Sequence, residues 1–204
     1  MHPNPAFRST GEQENLEFAR QRGFGMLCVQ QPDAPLLSHV PFLIADDLQS
    51  ADMHLVRSNP ITRAAKTPVP AVIAVTGADS YVSPDWYGQD DQVPTWNYVA
   101  VHLHGVLEPL PSDMLLDVLD RQSAMYEERL LPKPPWKTSK VTPEVLERFS
   151  RMIMPFRFRI ERVEGTWKLG QNKEDDVRLR AAEAVQKHGF GSETEVLSQL
   201  MKDG

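Results

Sequence analysis

The residues best suited to hold a ligand gather between Tyr81 and Gly105. Tyr81, Trp86 and Tyr87 flank a proline, an acidic glycine-containing loop follows, and Thr95-Trp96-Asn97-Tyr98 leads into Val99–Gly105. Large flat rings are cheap to order and can cover another flat molecule. The stretch is therefore a plausible wall for a planar ligand. The same rings equally suit a core and a turn, because most aromatic clusters are core. A second candidate is Arg57-Ser58-Asn59-Pro60. Asn59 is a good N-cap and Pro60 a good first residue for a helix over 60–66. A helix start exposes amides and a partial positive charge, and Arg57 precedes it while Arg63 lies within it. That pattern fits a phosphate site or an ordinary capped helix with solvated arginines. His102 and His104 stand two apart on an expected strand and could face one metal. A third ligand would have to come from His39 or His54, so no metal is assigned. There is no serine nucleophile with a paired His and Asp, no P-loop and no cysteine cluster. The catalytic residue, if the chain has one, stays unassigned.

The elements that must position these residues follow from periodicity. Thr10-Gly11-Glu12-Gln13 reads as a capping box before a helix to about Arg22. Strands are expected over 24–30, 36–45, 51–57 and 70–76. The residues from Tyr81 read as a Pro-broken loop, and Thr95, Trp96 and Asn97 precede the next strand. On that strand Tyr98, Ala100, His102 and His104 share one face, and Val99, Val101 and Leu103 the other. Helices follow over 112–131 and from Thr142-Pro143 to about Arg151. A strand over 155–163 alternates Phe156, Phe158 and Ile160 against Arg157, Arg159 and Glu161. Lys168, Gln171 and Asn172 follow a strand end, a helix covers 173–188, and Ser192-Glu193-Thr194-Glu195 reads as a second capping box. Gly23-Phe24-Gly25 is no dinucleotide loop: Cys28 stands where the third glycine belongs, and the glycines precede a strand. Antiparallel strands around a closed or split barrel, with helices outside, satisfy this order.

Composition narrows the function. The chain has 204 residues, with 28 acidic against 22 basic, a net charge of −6. Such a chain is not a general nucleic-acid binder, and strong DNA binding by this chain alone is not expected. The one basic density, Arg148, Arg151, Arg157, Arg159 and Arg162, reads as a solvated face paired with Glu144, Glu147 and Glu161. Cys28 is the single cysteine, which excludes an intrachain disulfide and fits a reducing cytoplasm. No apolar run approaches the ~18 residues of a membrane span, and the N-terminus lacks a signal-peptide pattern.

The run Val93-Pro94-Thr95-Trp96-Asn97-Tyr98-x-Ala100-Val101-His102-x-x-Gly105, preceded by Tyr81-x-Ser83-x-x-Trp86-Tyr87, resembles the signature of the PaiB family. Ser38-His39-Val40-Pro41, His54-Leu55-Val56-Arg57-Ser58-Asn59-Pro60 and Lys168-Leu169-Gly170-Gln171-Asn172 resemble further segments of it, in order. Met53, Thr62 and Gly170 depart from the family pattern, which has Gly, Trp and Ser at those places. The resemblance implies an α+β protein, mainly β: an FMN-binding split β-barrel over about 7–170 with peripheral helices and a C-terminal helical appendage over about 171–204, all one domain. It implies FMN as cofactor, a homodimer and a role as a negative transcriptional regulator, with the flavin as sensor or structural ligand. An FMN-dependent oxidoreductase acting on a small molecule is the alternative. It places the FMN phosphate at Arg57, Ser58 and Asn59, helped by Arg63. Trp96 would cover the ring, Thr95, Asn97, Gln171 and Asn172 would meet its polar edge, and Lys168 would supply positive charge. In the competing reading Trp96 is core, Asn97 bonds its own turn, and Gln171-Asn172 caps the next helix.

Overall fold

The computed structural model describes residues 1–203. They form seven strands and six α-helices. In chain order these are α1 (Glu12–Arg22), β1 (Phe24–Val29), β2 (Leu36–Pro41), β3 (Leu43–Ile44), β4 (Ser50–Val56), α2 (Pro60–Ala64), β5 (Val69–Val82) and β6 (Thr95–Pro109). Then come α3 (Leu115–Glu128), α4 (Pro143–Ser150), β7 (Ile153–Lys168), α5 (Asp175–His188) and α6 (Thr194–Asp203). The sheet order is β2-β1-β5-β6-β7-β4-β3. Where register is defined, as in Cys28↔Val72 and Asp52↔Arg157, the pairing is antiparallel. No helix among the described residues is long and apolar enough to cross a membrane.

The chain divides into two compact units. One holds Met1–Glu17, Val75–His102 and Glu164 onward; the other holds Phe18–Ala74 and Leu103–Val163. In the second unit the alternating side chains of the strands bury Leu27, Ile44, Met53, Ile73, Leu103, Phe156 and Phe158 completely, and Phe42, between β2 and β3, is buried with them. Each contributes about 1.5–3 kcal/mol by leaving water. In the first unit Val82, Val99 and Val101 are buried, as are Ala181, Val185, Leu197 and Met201 of the paired helices α5 and α6.

Four elements differ from the sequence expectation. Tyr81 and Val82 are the end of β5, not loop. The segment after Gly189 supplies partners that local sequence cannot reveal. Asp79 N–H donates to Ser192 O at 2.9 Å, and Ser192 N–H returns a bond to Asp79 O at 3.1 Å. That pairing uses the backbone of Ser192, and α6 begins at Thr194. Thr95, Trp96 and Asn97 are likewise the first residues of β6 instead of preceding it, and β7 runs unbroken to Lys168. The expected second strand is interrupted at Phe42, which lies between β2 and β3 and whose N–H donates to Gly23 O at 2.8 Å, opposite it in the β1–β2 register.

Asp52 anchors the second unit. Its side chain is 5% exposed and accepts from Arg157 Nε at 2.8 Å, Arg157 Nη2 at 3.0 Å and Arg121 Nη2 at 2.7 Å. Arg157 is its register partner on β7, and Arg121 reaches it from α3. Two residues along β4, His54 Nδ1 lies 3.1 Å from Gln122 Oε1, also on α3. Burial pushes the Asp52 pKa up, but its bonds and charge interactions with Arg157 and Arg121 outweigh that and hold it below the ordinary 3.8. In the first unit Asn15 plays a comparable part. Its amide donates to Thr10 O and Gly11 O at 3.1 and 2.9 Å, and its oxygen accepts from Trp167 Nε1 at 2.8 Å. A Cβ on Gly165 would stand 2.0 Å from Asn15 Oδ1, so β7 can pass this amide only without a side chain.

Two stability tests follow. The folded pKa of Asp52 is depressed, so its contribution is present above its unfolded pKa and is lost as pH falls through the folded one. Asp52→Asn should cost about 2 kcal/mol in urea unfolding at pH 7. This is less than the ~3–5 kcal/mol of a fully buried pair, because the arginines are partly solvated and screened. The gap between variant and parent should narrow on acidification below about pH 4; a gap that widens would contradict the assignment. Gly165→Ala displaces the Asn15 amide and should cost about 2–3 kcal/mol by the same measurement.

Candidate functional site

The first unit brings Thr95, Trp96 and Lys168 together. Lys168, the last residue of β7, donates its ammonium protons to Thr95 Oγ1 and to Trp96 O, the latter at 2.8 Å. The same Nζ lies 5.8 Å from the centroid of the Phe7 ring. Burial lowers the Lys168 pKa. A cation is thus fixed at the start of β6, against the backbone carbonyl of Trp96, a residue that is 44% exposed.

That indole belongs to an aromatic group. Trp96 meets Tyr81 edge-on at 6.4 Å and Phe190 edge-on at 5.9 Å. Tyr81 stacks on Phe190 at 5.5 Å and meets Trp86 edge-on at 6.5 Å. Trp96 and Phe190 both remain exposed. Phe190 reaches this place because Gly191 adopts φ +149° and passes Asp79 so closely that a Cβ would sit 2.3 Å from its carbonyl oxygen. Phe190 was not singled out from the sequence. The available signal was an aromatic residue between two glycines in a segment otherwise legible only as a turn.

Asn97 lies elsewhere. Strand alternation turns it to the face of β6 opposite Trp96, where it is 1% exposed and its Nδ2 donates to Met201 Sδ at 3.5 Å. Gln171 closes the turn after β7: its Oε1 accepts from Leu169 N–H at 2.8 Å, and its Nε2 donates to Trp167 O. Gly170 takes φ +85° in that turn. Asn172 is exposed. The helix after it starts at Asp175 with Glu174 as its N-cap.

In the second unit Arg57, Ser58 and Arg63 are exposed around Asn59. Asn59 Oδ1 accepts from Ile61 N–H at 2.8 Å, as expected of an N-cap, and its Nδ2 donates to Ser38 Oγ at 3.0 Å. Arg57 Nε donates to Arg151 O at 2.7 Å, which fixes the plane of the guanidinium. Thr62, buried, donates from Oγ1 to Val56 O at 3.0 Å and ties the short helix to β4. The basic density of α4 and β7 is largely spent on carboxylates. Arg151 pairs with Glu147 at 2.8 Å, Arg157 with Asp52, and Arg159 with Glu108 and Glu161.

An exposed ring, a lysine ammonium and a hydroxyl at one strand end are the groups that a flat, polar-edged cofactor requires. Known proteins resemble the chain. It is 27% identical over 199 residues to protease synthase and sporulation protein PAI 2 of Bacillus subtilis, covering 97% of this chain and 94% of that protein. The FAD and heme binding protein from Mycobacterium smegmatis superposes with a TM-score of 0.61 at 15% identity, over 90% of this chain and 81% of that one. The flavocytochrome Anf3 from Azotobacter vinelandii gives 0.52 at 13% identity, over 81% and 72%. These two likenesses identify the fold, an α+β split barrel. The family model described as "Putative FMN-binding domain" matches residues 1–162. The chain belongs to this FMN-binding family, whose cofactor is FMN.

Proposed function

We propose that this protein is a cytoplasmic, homodimeric FMN-binding regulator of the PaiB kind, in which Trp96, Thr95 and Lys168 contact the flavin ring and Arg57, Ser58, Asn59 and Arg63 contact its phosphate. The observation that carries the reading is the Lys168 ammonium held against the start of β6 by Thr95 Oγ1 and the backbone carbonyl of exposed Trp96. FMN, when bound, supplies the redox chemistry. The chain supplies placement and electrostatics. Trp96 offers an apolar face, Thr95 Oγ a hydrogen-bonding group, and Lys168 a positive charge that favours an anionic ring. Asn97 and Gln171 support these groups from behind, Asn97 through Met201 on α6 and Gln171 by closing the turn that follows Lys168. Asn172, exposed in the same turn, is free to meet the polar edge. Arg57 and Arg63 present guanidinium groups suited to phosphate oxygens.

The regulatory part of the reading is supported by the resemblance to the PaiB family. With a net charge of −6 and its main arginines paired to carboxylates, the chain would act on transcription through a partner or a complex instead of by tight DNA contact of its own.

Several measurements test this. Trp96→Leu should lose flavin affinity while its melting temperature stays within a few degrees of the parent, and FMN should quench the parent's tryptophan fluorescence. Early unfolding with normal FMN binding would instead make Trp96 core. Arg57→Ala should weaken FMN about tenfold or more and riboflavin hardly at all; equal loss for both would make Arg57 structural. Light scattering should give twice the chain mass, and steady oxidation of NAD(P)H by the FMN-loaded protein should be absent. Sustained turnover would replace the regulator with an oxidoreductase.

A further inference from the structure

A cavity of about 360 Å³ opens in the second unit, between α3 and the proline-rich segment that follows it. On α3 it is lined by Asp120, Ser123 and Ala124, which share one helix face at i, i+3 and i+4. The opposite wall is residues 135–139, among them Trp136, Thr138 and Ser139. Ala124 leaves room where a larger side chain would fill the space.

The far wall is held in place. Glu127, one turn beyond Ser123, accepts from Trp136 N–H at 2.7 Å and from the Lys133 ammonium. Pro134 and Pro135 fix φ just before Trp136, which reduces the freedom lost when the segment orders. The indole is therefore pinned at its backbone while its residue stays 37% exposed.

The charges around the cavity distinguish its occupants. Asp120 takes no part in the ion pairs of its own helix among the described residues: Arg121 binds Asp117 and Asp52 instead. A carboxylate, an indole face and hydroxyls around a mostly apolar space are the groups that recognise an organic cation. Lys137, on the same wall, is exposed and disfavours a second positive charge nearby.

We infer that this cavity is a binding site for a small organic ammonium ion that carries one positive charge and an apolar group. The ammonium faces Asp120 and the apolar part lies against Trp136. The site is separate from the residues assigned to FMN and does not depend on that assignment.

The test uses the full FMN-loaded chain and phenethylammonium as probe, with uncharged 2-phenylethanol as control. Titration followed by the Trp136 indole N–H resonance should show saturable binding in the millimolar range or tighter. The alcohol should bind about tenfold more weakly, and Asp120→Asn should weaken the cation by about the same factor without changing FMN content. Trp136→Leu should abolish binding; if that variant does not fold, Trp136→Phe should keep weak binding. No shift of the Trp136 resonance up to about 10 mM cation overturns the proposal. So does equal binding of the alcohol, or undiminished binding by Asp120→Asn.

Discussion

The two-residue alternation of β6 is the constraint on which the site depends. From Asn97 to Leu107 every second residue is buried, and the residues between them are not. Once Val99, Val101 and Leu103 are committed to the core, Asn97 must follow them inward and Trp96 must point out. A one-residue slip would exchange the two faces, placing Trp96 in the α6 core and Asn97 in solvent. The outward direction of the indole is therefore set by the burial of apolar side chains further along the same strand, and its contacts with Tyr81 and Phe190 follow from that direction.

Two charged groups are bound in contrasting ways. Asp52 is surrounded by arginines that satisfy both of its oxygens, so its charge stiffens the seam between β4, β7 and α3. Lys168 is held by neutral acceptors, a hydroxyl and a backbone carbonyl. Burial lowers its pKa, and among the described residues no carboxylate appears among its hydrogen-bond partners. An ion paired with another ion has little left to give a ligand. A cation satisfied only by neutral oxygens keeps its field for an incoming negative charge. The first arrangement suits a scaffold and the second suits a binding site.

Much was legible in the sequence because it depends on local chemistry. Asn59-Pro60 specified the cap that is observed, with Asn59 Oδ1 on Ile61 N–H. Alternation specified the buried face of β6, and the motif around Thr95-Trp96-Asn97 specified the family. Ends of elements were less legible. β5 reaches Val82 because Ser192, more than a hundred residues later, pairs with Asp79. The start of β6 at Thr95 likewise depends on Lys168, which caps it from the end of another strand.

The sequence by itself therefore determined which residues alternate, where a helix is capped, and which cofactor family the chain joins. The first two follow from side-chain type and spacing within a few residues, and the third from the resemblance of whole motifs to a known family. Only the tertiary structure decided that Phe190 joins Tyr81 and Trp96, that Asn97 turns away from them, and that Lys168 is held by Thr95. Each of these depends on a partner brought close by the sheet or by a later loop. Such closeness is set by the packing of the whole unit, which no short stretch of sequence encodes.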